Sequence, residues 1–296
     1  MDRLHLHRLH RTLIQGAVTV LTNAYLDGFL TGRLYRGPFK QLCVPGLNCY
    51  SCPGALGSCP IGAMQALASS PSYTVSVLVM GFLLVVGGLI GRLVCGFLCP
   101  FGLVQDLLHK IPFPKKFSTR RLRPLTWLKY AILVVFVLFL PNLPVNFMGM
   151  GEPAFCKYLC PQGILEGALP LAVVSETTRE ALGILFRWKF AILLSVVMLS
   201  VVIYRPFCKY LCPLGAVYGA TNHLSVYRLR FETEACVRCG KCAAVCKMDC
   251  DPTRDPNDSE CIRCGDCVQV CPTAALKKPS IGAGLRARVR PYRGIE

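Results

Sequence analysis

Long apolar runs, separated by polar and cysteine-rich loops, dominate the hydropathy pattern of the chain. Four of these runs are about as long as a membrane-crossing helix, and they cover residues 13–30, 73–94, 127–143 and 188–204. A helix needs about 20 mostly apolar residues to cross a bilayer. A fifth run, 164–174, is too short to cross and is expected to be interfacial or re-entrant. The pattern predicts a polytopic α-helical membrane protein with about four transmembrane helices.

The composition agrees with a membrane protein. Of the 296 residues, 53% are hydrophobic and 17% are charged, and the mean hydropathy is +0.46. In a soluble protein about a quarter of the residues are charged. The chain also has 19 cysteines, most of them in Cys-x-x-Cys or Cys-x-x-x-Cys-Pro units. That arrangement excludes an ordinary cytosolic enzyme and a small secreted protein stapled by disulfides.

The formal net charge of +17 treats every cysteine as neutral. If about four 4Fe-4S clusters were bound through four thiolates each, each would add about −2 and the total would fall to about +9. The loop 103–125 has six cations against one acid, Asp106. By the positive-inside rule, this loop and the basic segment 1–11 lie in the cytoplasm. We therefore expect a multi-pass protein of the cell inner (cytoplasmic) membrane, with both termini cytoplasmic and no nucleic-acid partner.

Two compact runs of four cysteines lie between residues 236 and 271. Three thiolates spaced two residues apart can wrap one iron–sulfur cubane, whereas the fourth lies too far along its helix and binds the other cluster in two-cluster ferredoxins. We assign one cluster to group A, which comprises Cys236, Cys239, Cys242 and Cys271. We assign a second cluster to group B, which comprises Cys261, Cys264, Cys267 and Cys246. Zinc is the alternative, although it prefers two separated cysteine pairs per site.

A shorter unit, Cys-x-x-Leu-Cys-Pro-x-Gly, recurs with its cysteine pairs at 95/99, 156/160 and 208/212, and Cys59-Pro60-Ile61-Gly62 is a partial copy. Proline fits the first turn of a helix. Each Cys-Pro therefore places a thiolate at a helix N-terminus, where the dipole favours negative charge. The earlier cysteine completes a two-thiolate claw, and two claws can hold one cluster. The alternative is that these cysteines are small buried apolar residues.

Four transmembrane helices would divide the remaining cysteines between the two membrane faces. On the cytoplasmic side lies a complete quartet, the inner group, which comprises Cys95, Cys99, Cys208 and Cys212. On the outer side lie six cysteines, Cys43, Cys49, Cys52, Cys59, Cys156 and Cys160. Six thiols are two more than one cluster needs, and disulfides are the alternative because an exported compartment permits them. An apolar core of about 30 Å is expected between the two sets.

The first apolar run also contains polar residues. Asn23 and Asp27 are four residues apart and are expected to share a helix face. Polar groups within a membrane are functional candidates, here for a quinone or a proton path. The alternative is that Asp27 lies at the membrane interface.

These claws, together with the two four-cysteine runs, resemble the membrane ferredoxin-type proteins related to NapH, the quinol dehydrogenase component of periplasmic nitrate reductase systems. They are also similar to the C-terminal part of the nitrous-oxide reductase regulator NosR. The resemblance covers about residues 73–275 and implies a cytoplasmic-facing ferredoxin domain that exchanges electrons with the quinone pool. The chain departs from this family in the 156/160 claw, the 43–59 loop and Lys247, which replaces the usual proline after Cys246. Nearby Cys250 is either a small core residue or a spare ligand.

We expect a transmembrane domain at 1–224, an α+β bacterial ferredoxin-like domain at 225–278 and a basic tail at 279–296. The expected cofactors are two 4Fe-4S clusters in the C-terminal domain, one or two further iron–sulfur clusters in the membrane domain, and quinone. The protein would relay electrons in anaerobic respiration between a cytoplasmic carrier, the quinone pool and a membrane or outer-face redox partner. Expected partners are membrane lipid and ferredoxin-like or respiratory reductase proteins. A quinol dehydrogenase subunit is one enzymatic form of this role, and the alternative is a maturation or redox-sensing accessory factor.

Overall fold

Helices that begin at a Cys-Pro step recur along the chain, which is described by a computed structural model over residues 3–68, 74–114, 116–143, 152–180 and 182–280. Each of these helices is short, and in three cases a longer apolar helix follows it. The short helices are α3 (Pro60–Ala68), α6 (Pro100–Leu108), the π-helical turn Gly163–Ala168 with α9 (Leu169–Val174), and α13 (Pro213–Thr221). The longer ones are α4 (Thr74–Ile90), the helical stretch 120–142 and α11 (Ile184–Val202).

Further helices connect or precede these units. They are α1 (Arg3–Thr22), α2 (Leu26–Thr31), α5 (Leu93–Phe97), α7 (Leu128–Ile132), α8 (Ala154–Tyr158), α10 (Glu176–Glu180) and α12 (Pro206–Tyr210). Around α7, the stretch 120–142 contains the 3-10 turns Arg120–Trp127 and Leu140–Asn142 and the π-helical Leu133–Phe139. One more 3-10 turn is Pro38–Gln41.

Among the described residues, two helical stretches are long and apolar enough to cross a membrane, 120–142 and 184–202. They include most of the third and fourth apolar runs. Shorter apolar helices cover 77–90 and 163–174. The count of four transmembrane helices therefore stays a prediction. Lys115, in the loop expected to be cytoplasmic, and residues 281–296 of the expected tail lie outside the described residues.

The expectation of one continuous helix over residues 13–30 is wrong. α1 ends at Thr22 and α2 begins at Leu26, because the intervening backbone bonds to the following cysteine-rich loop. Tyr25 N–H donates to the carbonyl of Gly54 at 3.1 Å, and Leu56 N–H donates to the carbonyl of Thr22 at 2.9 Å. These long-range bonds replace the intrahelical ones that a continuous helix would form.

The break also separates Asn23 from Asp27, so their expected common helix face does not exist. Asn23 follows α1, and its amide donates to the carbonyl of Thr19 at 3.1 Å. Asp27 lies in the first turn of α2, is exposed, and accepts a hydrogen bond from Tyr25 at 3.2 Å.

The C-terminal module has one antiparallel strand pair enclosing two short helices. β1 (Arg228–Phe231) pairs with β2 (Leu276–Ser280) in a register that joins Phe231 to Leu276. The helices α14 (Lys241–Val245) and α15 (Asp266–Gln269) lie between them in the chain. Strands and helices together form the small α+β unit that the sequence led us to expect at this end.

Buried ion pairs attach this module to the helices before it. Glu260 accepts hydrogen bonds from Lys129 and, at 2.7 Å, from Arg92, whose side chain is fully buried. Although burial opposes its ionisation, these two cations hold the pKa of Glu260 below its usual range. Lys209 pairs with Asp249 at 2.8 Å in a second buried contact. Removing one partner of such a pair would leave an uncompensated buried charge. The pairs therefore hold the module in a fixed position against the helices.

Candidate metal centres

The cysteines gather into four groups of four thiols, and three of the 19 stay outside them. Within the described structure all 19 are free thiols. The thiols assigned to group A line one cavity, and those assigned to group B lie close enough together for their thiolates to repel one another. Their role as cluster ligands stays a prediction.

The inner group brings together the claws at 95/99 and 208/212, and all four of its thiols are buried. The glycine of each motif explains how the claw closes. A Cβ at Gly102 would lie 3.1 Å from the carbonyl oxygen of Cys95, and one at Gly215 would lie 3.2 Å from that of Cys208. Glycine therefore allows the first cysteine's backbone to pack against the new helix.

Two arginines brace the claws of the inner group across each other. Arg92, three residues before Cys95, donates to the carbonyl of Cys208 at 3.1 Å. Arg205, three residues before Cys208, donates to the carbonyl of Cys95. Arg205 also makes a bidentate pair with Asp106, at 2.7 and 2.6 Å. The sequence alone did not indicate this role for either arginine, although each stands three residues before the first cysteine of its claw.

A glutamine after the Cys-Pro step binds the opposite claw. Gln105 Nε2 donates to the sulfur of Cys208 at 3.1 Å, and its Oε1 accepts from the N–H of Phe207 at 3.2 Å. Gln105 lies six residues after Cys99. Sequence reasoning missed it, although Gln65 stands six residues after Cys59 and signals the same device.

Four of the six cysteines expected on the outer side form a second quartet in the helical domain. This outer group comprises Cys49, Cys59, Cys156 and Cys160, which line a cavity of about 90 Å³. Lys189 lies beside it and donates to the carbonyl of Cys156 at 3.0 Å. The other two cysteines point elsewhere: the Cys52 sulfur lies 3.4 Å from Oδ1 of Asn23, and Cys43 is in a short parallel bridge with Ser58.

The expected 30 Å between the inner and outer thiols is wrong, because one short loop contacts both groups. Burial raises the pKa of Cys99 to about 12, and a hydrogen bond from the backbone of Leu47 opposes the rise. Burial also raises the pKa of Cys59 to about 11, and the backbone of Asn48 is among the groups that oppose it. Leu47 and Asn48 are adjacent in the chain, and each contacts one of the two sulfurs. The sulfurs of Cys59 and Cys99 therefore lie within about 12 Å of each other.

The physical reason lies in the Cys-Pro helices. α3 and α6 each have nine residues and are about 13 Å long. Each carries the chain away from its claw by less than half the thickness of a bilayer, and a longer helix follows. The claws therefore lie within the helical domain, where both groups can approach the loop, and not at opposite ends of full-length spans.

The C-terminal module places group B against the inner group and group A towards solvent. A Cβ at Gly96 would lie 2.5 Å from the carbonyl oxygen of Ile262, so the backbone next to Cys95 touches the backbone next to Cys261. Cys239 of group A is exposed. Cys250 is buried and its thiol lies against that of Cys246, beside group B.

Comparison with known proteins indicates which metal group these thiols suit. A family model described as "4Fe-4S binding domain" matches residues 73–120, 130–169 and 186–232, and a second model with the same description matches 255–277. Together the two models cover slightly more than half of the chain. No solved structure matches it.

Several curated proteins are similar to this chain. It is 29% identical to YccM of Escherichia coli K12, provisionally named as an electron transport protein, over 70% of this chain and 56% of YccM. It is 27% identical to the methylamine utilization ferredoxin-type protein MauN of Paracoccus denitrificans, over 75% of this chain and 70% of MauN. Its identity to the regulatory protein NosR of Pseudomonas aeruginosa is 27%, over 52% of this chain and 20% of NosR. The chain thus spans little more than half the length of YccM.

The thiol groups fit the cofactor that these matches imply. Each group supplies four sulfur ligands, the number that a 4Fe-4S cluster takes. Among the described residues, no three His, Cys, Asp or Glu side chains are close enough together to hold a single metal ion. The chain belongs to the ferredoxin-type proteins with 4Fe-4S binding domains.

Proposed function

We propose that this protein is a membrane-bound electron relay between a cytoplasmic carrier, the quinone pool and a redox partner in the membrane or at its outer face. The observation that carries the proposal is the continuous row of four thiol groups. A 4Fe-4S cluster, when bound, supplies one-electron transfer. The chain supplies the ordered ligands and buries half of them.

The order of the row follows from contacts between neighbouring groups. Cys242 of group A lies near Cys267 of group B. Group B meets the inner group where Ile262 packs against Gly96. The inner and outer groups share the loop around Leu47. The row therefore runs from group A through group B and the inner group to the outer group.

Exposed apolar surface supports a place in the membrane. Of the 18 most apolar consecutive residues of α11, only 17% are buried inside the protein. The corresponding share in the stretch 120–142 is 22%. Ile184 and Met198 of α11 are 78% and 62% exposed. A helix surface of this kind suits lipid better than water. With the charge of the loop 103–125, it supports a multi-pass protein with cytoplasmic termini.

Group A offers the end at which a soluble carrier would dock. Cys239 is exposed, and neighbouring Val237 is 63% exposed. Arg238 and Lys241 are also exposed, so the rim around this group is positively charged. A carrier with an acidic surface would be steered towards it.

A cavity of about 670 Å³ between the stretch 120–142 and the C-terminal module is a better quinone candidate than Asn23 and Asp27. It is lined by Trp127 and Tyr130 together with Arg123 and Glu260. Its volume lies within the range of sites for small organic ligands, and its aromatic walls and charged groups suit a ring with two oxygens. Glu260 binds Arg92, which in turn holds the carbonyl of Cys208.

The test uses full-length protein purified without oxygen. Menaquinol or ubiquinol analogues should produce the EPR signals of reduced clusters, and Trp127→Ala should slow this reduction several-fold. Trp188→Ala is the matched control, because Trp188 does not line the cavity. If dithionite reduces the clusters while no quinol does, the quinone role is wrong.

A maturation or redox-sensing factor is the second candidate. It is favoured by one observation, the similarity to NosR, whose name describes a regulatory protein. That similarity covers 20% of NosR. Clusters that quinol reduces and that an added acceptor reoxidises would support the relay, whereas clusters that exchange electrons with neither would support the second candidate.

A further inference from the structure

We infer that the outer group, Cys49, Cys59, Cys156 and Cys160, holds a 4Fe-4S cluster of its own, and that Cys43 and Cys52 are not ligands. The sequence alone leaves six candidates for this site. Two of its cysteines, at 49 and 59, lie outside the regions matched by the family models. The inference rests on the proposed relay, in which the outer group is the last site, but iron content tests it whether or not the relay is correct.

The first support is convergence on one enclosed space. The four sulfurs line a single cavity of about 90 Å³, and Phe155 and Ile61, both buried, close its wall. Cys156 lies near the other three cysteines. Four thiols that converge on one cavity supply the number of sulfur ligands that a 4Fe-4S cluster takes.

The second support is that the inner group's hydrogen-bonding device is repeated here. Gln65 Nε2 donates to the sulfur of Cys156 at 3.3 Å, and its Oε1 accepts from the N–H of Phe155 at 2.9 Å. Gln105 makes the same two bonds to Cys208 and Phe207. A buried amide that donates to a sulfur in each of two quartets indicates a shared role, because hydrogen bonds to the sulfurs set the properties of a bound cluster.

Backbone donors support the other sulfurs of the site. Hydrogen bonds from Gly62 and Ile61 reach Cys59, and hydrogen bonds from Gly163 and Gln162 reach Cys160. In both cases the donors are the first N–H groups after a Cys-Pro step. Donors of this kind supply the hydrogen bonds to sulfur that set the properties of a bound cluster.

The excluded cysteines have other surroundings. Cys52 is buried, but its sulfur contacts Oδ1 of Asn23. Cys43 lies near Tyr218, between the two groups, and does not line the cavity. These two residues therefore serve as matched controls within the same loop.

The experiment measures iron and sulfide in anaerobically prepared full-length protein and in single variants. With every group loaded the chain should hold about 16 irons. Cys156→Ala and Cys59→Ala should each lose about four of them, whereas Cys52→Ala and Cys43→Ala should lose none. Full iron in Cys156→Ala, or equal losses in Cys52→Ala and Cys156→Ala, would overturn the inference.

A serine variant covers the case in which the alanine variants do not fold. Serine can bind iron through oxygen, so Cys156→Ser should keep the protein intact while changing the EPR spectrum of one cluster. Cys208→Ser should change the spectrum of a different cluster. An unchanged spectrum in Cys156→Ser would show that this thiol binds no cluster.

Discussion

The inner and outer groups share a thiol arrangement but differ in what surrounds it. Around the inner group, Arg92 and Arg205 are fully buried, and each is paired with a carboxylate. Around the outer group, Lys189 is the neighbouring cation, and Glu166 accepts a hydrogen bond from the N–H of Cys49 at 3.0 Å. A cavity also opens at the outer group.

This difference separates two requirements of a cluster site. The thiols and the glutamine hydrogen bonds recur in both groups, so they belong to the thiol arrangement that the two groups share. Of the two arginines, Arg92 also binds Glu260 of the C-terminal module, so it fastens the module as well as the claws. In the proposed relay, the inner group would be a sealed intermediate and the outer group the end of the row.

Loss of an inner ligand should have the largest effect. Cys212→Ala should remove about four irons and interrupt the row, so that electrons supplied at group A no longer reach the outer group. Cys160→Ala should remove a similar amount of iron but leave the inner signal unchanged. Iron analysis with EPR distinguishes the two, and identical spectra for both variants would contradict the separation of the groups.

Removal of the buried carboxylate should have the next largest effect. Glu260→Ala leaves Arg92 and Lys129 without their partner and should lower the free energy of unfolding by about 3–5 kcal/mol. Thermal unfolding measures the change in stability. The backbone amides of the C-terminal module should be the first to lose their protection from hydrogen exchange. Glu232→Ala is the control, because the exposed pair with Lys277 should contribute less than about 1 kcal/mol. Equal effects would show that Glu260 does not fasten the module.

A side chain at Gly46 should disturb both groups at once. A Cβ there would lie 2.8 Å from the carbonyl oxygen of Leu98 and 3.0 Å from the Cα of Cys99. Gly46→Ala should therefore cost about 1–3 kcal/mol and broaden both EPR signals. Gly16→Ala, with nothing within 4 Å of the new Cβ, should be neutral or slightly stabilising. If Gly46→Ala changed neither the stability nor the EPR signals, the loop would not link the inner and outer groups.

Loss of a glutamine should have the smallest effect and the most selective one. Each amide donates to a cysteine sulfur and favours the more negative, reduced state. Gln65→Leu should lower the midpoint potential of the outer group by about 40 mV, the equivalent of about 1 kcal/mol, and Gln105→Leu should do the same for the inner group. Redox titration measures both, and a shift in the wrong group would contradict the pairing of glutamines with quartets.

Sequence reasoning could define groups whose ligands follow a fixed spacing. Group A and group B were assigned from cysteines two residues apart, and the structure brings those thiols together. The inner group was assigned from repeated claws. The outer group was not resolved, because Cys49 and Cys52 have the same local pattern. What separates them is a long-range contact of Cys52 with Asn23, which no local spacing encodes.

The distances between the thiol groups could not be predicted for a similar reason. Hydropathy indicates which residues are apolar. It does not show that a helix such as α3 has only nine residues and stays within the helical domain. Nor does it show the break after Thr22, which depends on backbone bonds to residues about thirty positions away. Local patterns therefore predict which thiols come together better than they predict the distances between the groups.

A redox titration of anaerobic full-length protein, followed by EPR, tests the row of four groups most directly. The account predicts four clusters that each take up one electron reversibly, two of which disappear separately in Cys212→Ala and Cys160→Ala. A titration that shows only the two clusters of groups A and B, with unchanged spectra in both variants, would contradict it.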